Sequence, residues 1–311
     1  MRRTILLIAA GLLFLAGFGI LLYPNVEGLL AGHENRERIE HFREERGGPD
    51  TEQAAYADLL REMQEYNGQI SRDGQKDLKD VWSYEQNPFD FRAAGLPDDM
   101  IGYITIEAMD VEMPLYIGAN EENMKKGAVV MGQTSMPVGG ADTNCVIAAH
   151  RGYQGIPMFR NIEALETGDR VEITNLWETL EYEVVRSIVI DPDDIDAVKI
   201  IPGEELLTLI TCHPYTQNYQ RYVVYCRRAG SAEMNGADQN GVQGGDPLLS
   251  ITGEAFESSG DDIRMERLVN FTALGLLTVL AAVGLILLCF RRKKSGRRGR
   301  RRRKKTDRSG H

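Results

Sequence analysis

Charge is missing from two long stretches of this sequence. Thr4 to Tyr23 carries no charged residue and ends at Pro24. Leu268 to Phe290 carries none either, and its only amide is Asn270. Each is close to the roughly 20 residues that cross about 30 Å of hydrocarbon. No soluble core requires a second run of this length. A cleaved signal peptide is the competing reading of the first run, but no clear small-x-small cleavage site precedes the charged stretch that follows it. Two transmembrane helices are therefore expected.

Basic residues are scarce between those runs and concentrated outside them. Arg2 and Arg3 precede the first, and thirteen Lys or Arg with the single acid Asp307 follow the second. Without these flanks, 21 basic and 45 acidic residues remain, so the intervening segment is near −24 although the whole chain is −10. Basic flanks stay cytoplasmic. The expectation is a plasma-membrane protein with both termini inside and residues 24–267 on the extracellular face. A basic tail beside a span serves orientation or anionic-lipid contact more often than nucleic-acid binding, and no nucleic-acid partner is expected.

Cysteine is also scarce, with four in 311 residues. Cys289 lies at the inner end of the second apolar run. Cys145, Cys212 and Cys226 lie between the runs, so at least one of these three has no disulfide partner within the segment, which suggests a reactive thiol or an intermolecular bridge. A Cys145–Cys226 disulfide is conceivable, but both residues sit in apolar strand-like runs and fit a core equally well. No internal repeat is present.

Residues 24–97 are charged and helix-friendly at first. Asp50 or Thr51 can cap a helix whose apolar positions recur at helical spacing, and the segment reads as a solvated stalk. From Ile70 to Leu96 the chain is irregular but holds Trp82, Tyr84, Phe89 and Phe91, a composition that lies against something apolar. From residue 98 to 228 short β-branched runs alternate with turns such as Pro137-Val138-Gly139-Gly140 and Asp191-Pro192-Asp193-Asp194. That spacing predicts one all-β barrel or sandwich, with about one helical turn near Met158 to Ile162. Residues 229–267, rich in Gly, Asn and Asp, read as a flexible linker. The expected organisation is 1–23 anchor, 24–97 stalk, 98–228 β domain, 229–267 linker, 268–290 second span and 291–311 basic tail.

Three residues of the β domain have the chemistry of a site. Cys212 closes the run Leu206 to Thr211, His150 closes Cys145 to Ala149, and Arg221 opens Tyr222 to Tyr225. A thiol and an imidazole at strand ends can converge on one rim, where the imidazole exchanges protons while the thiolate attacks a carbonyl. A guanidinium nearby favours thiolate and stabilises an oxyanion. No Asp or Asn is placed as the third member of a papain-like triad, and Arg221 fits that vacancy. A buried cysteine that only packs is the bland reading. His213, next to Cys212, faces the opposite side of a strand and is the weaker base. Glu107 with Asp110, and the Asp191, Asp193, Asp194 group, are acids of the kind that bind calcium, but turn acids are commonly just solvated, and no metal is expected.

Thr208-Leu209-Ile210-Thr211-Cys212 resembles the sortase signature TLxTC, and Cys212-His213-Pro214-Tyr215 resembles its TCxPY form. Ala149-His150-Arg151-Gly152 is similar to the segment that carries the sortase His, and Arg221 falls where the family Arg is expected. Gly102 to Ile106 and Met113 to Tyr116 resemble the opening barrel strands. The resemblance implies a closed eight-stranded sortase-type β-barrel with short helices, in which Cys212 forms an acyl-enzyme, His150 moves protons and Arg221 stabilises the intermediate. It implies no organic cofactor. Class C, the pilin polymerases, matches the rest best. Asp80-Val81-Trp82-Ser83 resembles the Asp-Pro-aromatic lid of that class, with Val81 where Pro is usual; Asp80 would pair with Arg221 and Trp82 would cover Cys212. Asn87-Pro88-Phe89-Asp90 competes for that role but reads better as the connection into the first strand. The implied partners are secreted Gram-positive proteins with LPxTG-like sorting signals, pilin subunits among them. A sortase that resolves onto a peptidoglycan precursor is the alternative within the family. A non-catalytic membrane-anchored binding protein is the rival from another class.

Overall fold

Alternating β-branched runs do form the centre of the molecule. The computed structural model describes residues 2–46, 50–76, 78–80, 85–153, 155–230 and 246–255, together with Gly275 and Gly284. The chain divides into two units, Met1–Ser258 and Ser259–His311; the barrel lies in the first. After the helices α1 (Arg2–Glu45) and α2 (Asp50–Asp73) come β1 (Met100–Ile106), β2 (Val111–Ile117), the short helix α3 (Glu121–Lys126), β3 (Ala128–Val130) and β4 (Thr143–Ala148). They are followed by β5 (Arg170–Asn175), β6 (Thr179–Ile190), β7 (Glu205–His213), β8 (Gln220–Arg228) and β9 (Glu254–Ala255).

The strands pair in the order β5-β1-β2-β3-β4-β7-β8-β6, and a further β5–β6 pairing closes the ring into an eight-stranded barrel. Closure removes the free edges that an open sheet would present. The long strand β6 allows this by pairing with β5 through its first half and with β8 over Tyr182 to Ile190. Inward residues such as Ile104, Leu115, Ile147, Ile173, Leu209 and Val224 are fully buried.

Several expectations need correction. The helical region before the barrel is not a solvated stalk. Tyr56, Leu59, Met63 and Ile70 form the apolar stripe of α2, and all four are buried. Asn67 on the same stripe is tied to Met136 through both backbone groups (2.7 and 3.2 Å). The helix stops at Asp73, where Gly74 adopts φ 80°, the left-handed conformation glycine reaches without steric cost. Ile39 and Phe42 of α1 are buried as well, and Arg43 reaches Tyr103 and Glu112 on the barrel. Part of the supposed linker also docks: Leu248 is buried, Arg186 donates to the carbonyls of Leu248 and Ile251, and β9 adds to β6. The helical turn expected at Met158 to Ile162 lies slightly later, at Ile162–Ala164.

Among the described residues no helix is long and apolar enough to cross a membrane. The first apolar run lies in α1, but most of its side chains are outside the described residues. The second, 268–290, is outside them apart from Gly275 and Gly284, both helical. Of the two readings of Cys145 and Cys226, a disulfide or core packing, the structure shows core packing. Cys145 and Cys226 are both free, buried, and paired to the same residue, Leu207, from opposite sides of β7. Two strand spacings of about 4.8 Å put their backbones beyond disulfide reach.

Candidate active site at the ends of four strands

Cys212 and Arg221 are cross-strand partners on β7 and β8, and Ile190 of β6 is the partner of Arg221 on its other side. Directly paired antiparallel residues share a face, so the thiol and the guanidinium stand side by side. On the opposite flank β4 runs parallel to β7 with Ala148 paired to Ile210. Continuing that register by two residues brings His150 level with Cys212. The structure thus gathers on one rim the three residues that the sequence places apart.

The signature threonines explain how this rim is held. Thr208 and Thr211 are fully buried on β7. Thr208 donates to the Asn144 side chain (2.7 Å) and Thr211 to the carbonyl of Ala149 (2.7 Å). Both bonds lock β7 to β4, the second one residue before His150. His150 itself stacks on Tyr153 with ring centroids 5.1 Å apart, and its carbonyl accepts from the Phe159 amide (3.1 Å).

Arg221 is occupied by an acid from outside the barrel. Its Nε and Nη2 donate to the two carboxylate oxygens of Asp80 at 2.9 and 2.8 Å, a bidentate pair. Its Nη1 donates to the carbonyls of Asn218 and Gln220. Trp82, the other lid residue named from the sequence, lies outside the described residues. The competing Asn87 segment is a turn: the Asn87 side chain accepts from the Phe89 amide and donates to Asp99.

Electrostatics separates Cys212 from the other described thiols. Cys145 and Cys226 are fully buried, and burial pushes both thiols far above the ordinary range. Cys212 is only partly buried. Burial pushes its pKa up too, Asp80 adds to that, and the charges of Arg221 and Arg151 oppose it. Burial pushes the His150 pKa down. Both shifts favour the uncharged forms, thiol and neutral imidazole. For Arg221, burial works against the charge, but the bonds to Asp80 and its charge outweigh that and leave the pKa raised.

Sequence reasoning missed a second cluster behind Cys212. His213 is buried and does face away from the thiol. Its Nδ1 lies 2.8 Å from Arg151 Nη1 and 3.2 Å from Glu163 Oε1. Arg151 and Glu163 form a very close ion pair, and Arg151 also donates to the Cys212 carbonyl (3.3 Å). Of the acids considered for calcium, Glu107 and Asp110 line a cleft of about 820 Å³ with Arg36 and Arg170, whereas Asp193 lies just past the end of β6 and its charge acts on Arg221. Among the described residues no group of His, Cys, Asp and Glu is arranged to hold a metal.

Comparison with known proteins places this geometry. A sortase-domain family model matches residues 104–229. Among curated proteins, sortase D of Bacillus subtilis is 26% identical over 132 residues, which are 41% of this chain and 63% of that protein. Sortase A of Bacillus anthracis is 29% identical over 125 residues, 40% of this chain and 58% of that one. The chain thus spans less than two thirds of the length of the curated relatives it matches. Solved structures match further. Sortase C of Streptococcus pneumoniae aligns with TM-score 0.55 and 31% identity, covering 62% of this chain and 96% of that one. Sortase C1 of Streptococcus agalactiae aligns with TM-score 0.55 and 33% identity, over 61% and 96%. A barrel closed by β5–β6, a cysteine paired across strands with an arginine, and these matches together assign the chain to the sortase family of cysteine transpeptidases.

Proposed function

We propose that the protein is a class C sortase that joins pilin subunits, with Cys212 as nucleophile. The observation that carries this reading is the cross-strand pair Cys212–Arg221 with Arg221 held by Asp80, a residue from outside the barrel. Similarity to class C structures, one of them studied for pilin substrate specificity, supports the substrate class.

In this reading Asp80 keeps the enzyme at rest. It holds the guanidinium that a substrate oxyanion needs, and its charge raises the Cys212 pKa. When the Asp80 segment leaves, Arg221 is freed and the thiol ionises more readily. The Cys212 thiolate then attacks the Thr–Gly carbonyl of an LPxTG-like signal, with Arg221 stabilising the oxyanion. His150 delivers the proton taken from Cys212 to the leaving glycine amine as the C–N bond breaks. A Lys amine on a neighbouring pilin attacks the thioester, loses a proton to His150 and releases the thiol. The two uncharged runs and their basic flanks support a catalytic domain on the outer face of the plasma membrane, anchored at both ends.

Intact mass of the full-length protein after incubation with an LPxTG-type peptide tests this. The expected result is an acyl adduct in wild type that is absent in Cys212→Ala and accumulates faster in Asp80→Ala. No adduct in any of the three, across several sorting signals, would remove the sortase reaction.

A further inference from the structure

The ladder between β4 and β7 ends at Ala148–Ile210, short of both Cys212 and His150. Beyond it one amide–carbonyl contact, Ala149 to Ile210 (3.3 Å), and the Thr211–Ala149 bond remain. Past that point the two strand ends are joined by side chains. Arg151 follows His150 in the chain, and His213 follows Cys212. The Arg151 guanidinium meets the Cys212 carbonyl and His213 Nδ1 through Nη1, and Glu163 through Nη2. Arg151 and Glu163 are 6% and 7% exposed.

Stability alone gives little reason for an ion pair in this place. Desolvation of two buried charges offsets most of their attraction, and apolar residues of similar size are commonly as stable or more so. What the pair does supply is a rigid planar fork. A guanidinium has fixed donor directions, so it sets the orientation of the Cys212 peptide plane, and with it the direction of the Cys212 Cα–Cβ bond. The Arg151 ring contacts point the same way: its guanidinium lies 5.9 Å over Tyr222, which in turn packs on His213 at 5.7 Å. The fork is held through Nη1, Nη2 and the Tyr222 ring, while its buried Nε makes no hydrogen bond.

We propose that Arg151, braced by Glu163 and His213, is a positioning residue for the proposed transfer reaction: it fixes the Cys212 strand end relative to the His150 strand end. The inference rests on the sortase reading of Cys212 and deepens it. Reaction distances are unforgiving, since a misplacement of about 1 Å can cost on the order of 100-fold in rate. A residue that never touches substrate can therefore control the rate through the angle at which the thiol is presented. The charge of Arg151 acts in the same direction by favouring the Cys212 thiolate, beside Arg221 and against Asp80.

The test uses the full-length protein in detergent and two variants. In Arg151→Met/Glu163→Met both charges are replaced together by side chains of comparable size, so that neither is left buried and alone. In Arg151→Lys the charge remains but the fork is lost. Three quantities are read: thermal midpoint, rate of Cys212 acylation against peptide concentration, and rate of Cys212 alkylation by iodoacetamide against pH. The expected outcome is a double variant that melts within a few degrees of wild type, with its limiting acylation rate down on the order of 100-fold. Its half-saturating peptide concentration stays unchanged and its alkylation profile moves to higher pH. Arg151→Lys restores the alkylation profile but only part of the acylation rate. If both variants are acylated like wild type per folded molecule while wild type forms the adduct, the positioning role is wrong and the sortase reading stands. If wild type forms no adduct while the alkylation profile still shifts in the double variant, the sortase reading fails but the coupling of Arg151 to Cys212 survives.

Discussion

Two buried arginines flank Cys212, and their partners come from different parts of the chain. Arg221 is held by Asp80, which precedes the barrel in sequence and keeps 23% of its side chain exposed. Arg151 is held by Glu163, a barrel-domain residue whose side chain is 9% exposed. The front pair can open without disturbing a strand, because Asp80 belongs to no helix or strand. The rear pair cannot, because both members are packed within the fold. Under the proposed function, the difference separates two jobs for buried ion pairs, one as a removable block and one as a fixed brace.

The comparison can be broken in several ways. The largest effect is expected from Arg221→Ala. It removes the target of the block as well as the oxyanion donor, so acylation falls roughly 100- to 1,000-fold despite the freed lid; single-turnover mass spectrometry reads this. Next is Glu163→Gln, which leaves the Arg151 charge buried without its counterion. Breaking a buried pair costs about 3–5 kcal/mol, and a lowering of Tm by roughly 10 °C follows for a unit of this size. Asp80→Ala should change Tm by only a few degrees and raise the acylation rate by roughly 10- to 100-fold, in line with about 1.5–3 kcal/mol for a charge-assisted bond. Because Asp80 pushes the Cys212 pKa up and the thiolate is the reactive form, its removal should move the alkylation profile to lower pH. An unchanged profile would deny that Asp80 acts on the thiol. The smallest effect is that of salt. Raising ionic strength weakens the partly exposed front pair more than the buried rear one, so wild-type acylation should rise two- to three-fold, roughly, while Asp80→Ala responds less.

How much of this was legible in the sequence follows the same division. The rim residues were readable because strand ends carry local signals: a β-branched run that stops at His150, another that stops at Cys212, and a third that starts at Arg221. The Asp80–Arg221 pair was implied by the resemblance of Asp80-Val81-Trp82-Ser83 to the Asp-Pro-aromatic lid of class C sortases, although Trp82 lies outside the described residues. The Arg151–Glu163–His213 cluster was not. Its members are far apart in sequence, and nothing local marks which of many charged residues becomes buried. The docked helix α2 had a signal that was underweighted. Tyr56, Leu59, Met63 and Ile70 recur at helical spacing, and such a stripe needs a surface to cover it. The docking of 246–255 left Leu248, Leu249 and Ile251 as apolar cues at the end of a polar stretch, too few to separate it from a tether.

The proposed reaction rests on Cys212 as the nucleophile and on its restraint by Asp80 through Arg221. The most direct test is the initial rate of acyl-adduct formation with an LPxTG-type peptide, compared among wild type, Asp80→Ala and Asp80→Ala/Arg221→Ala. The expected order is slow, faster, and slower than either, with the adduct mapped to the Cys212 peptide. An adduct on another residue, or equal rates in wild type and Asp80→Ala, would contradict it.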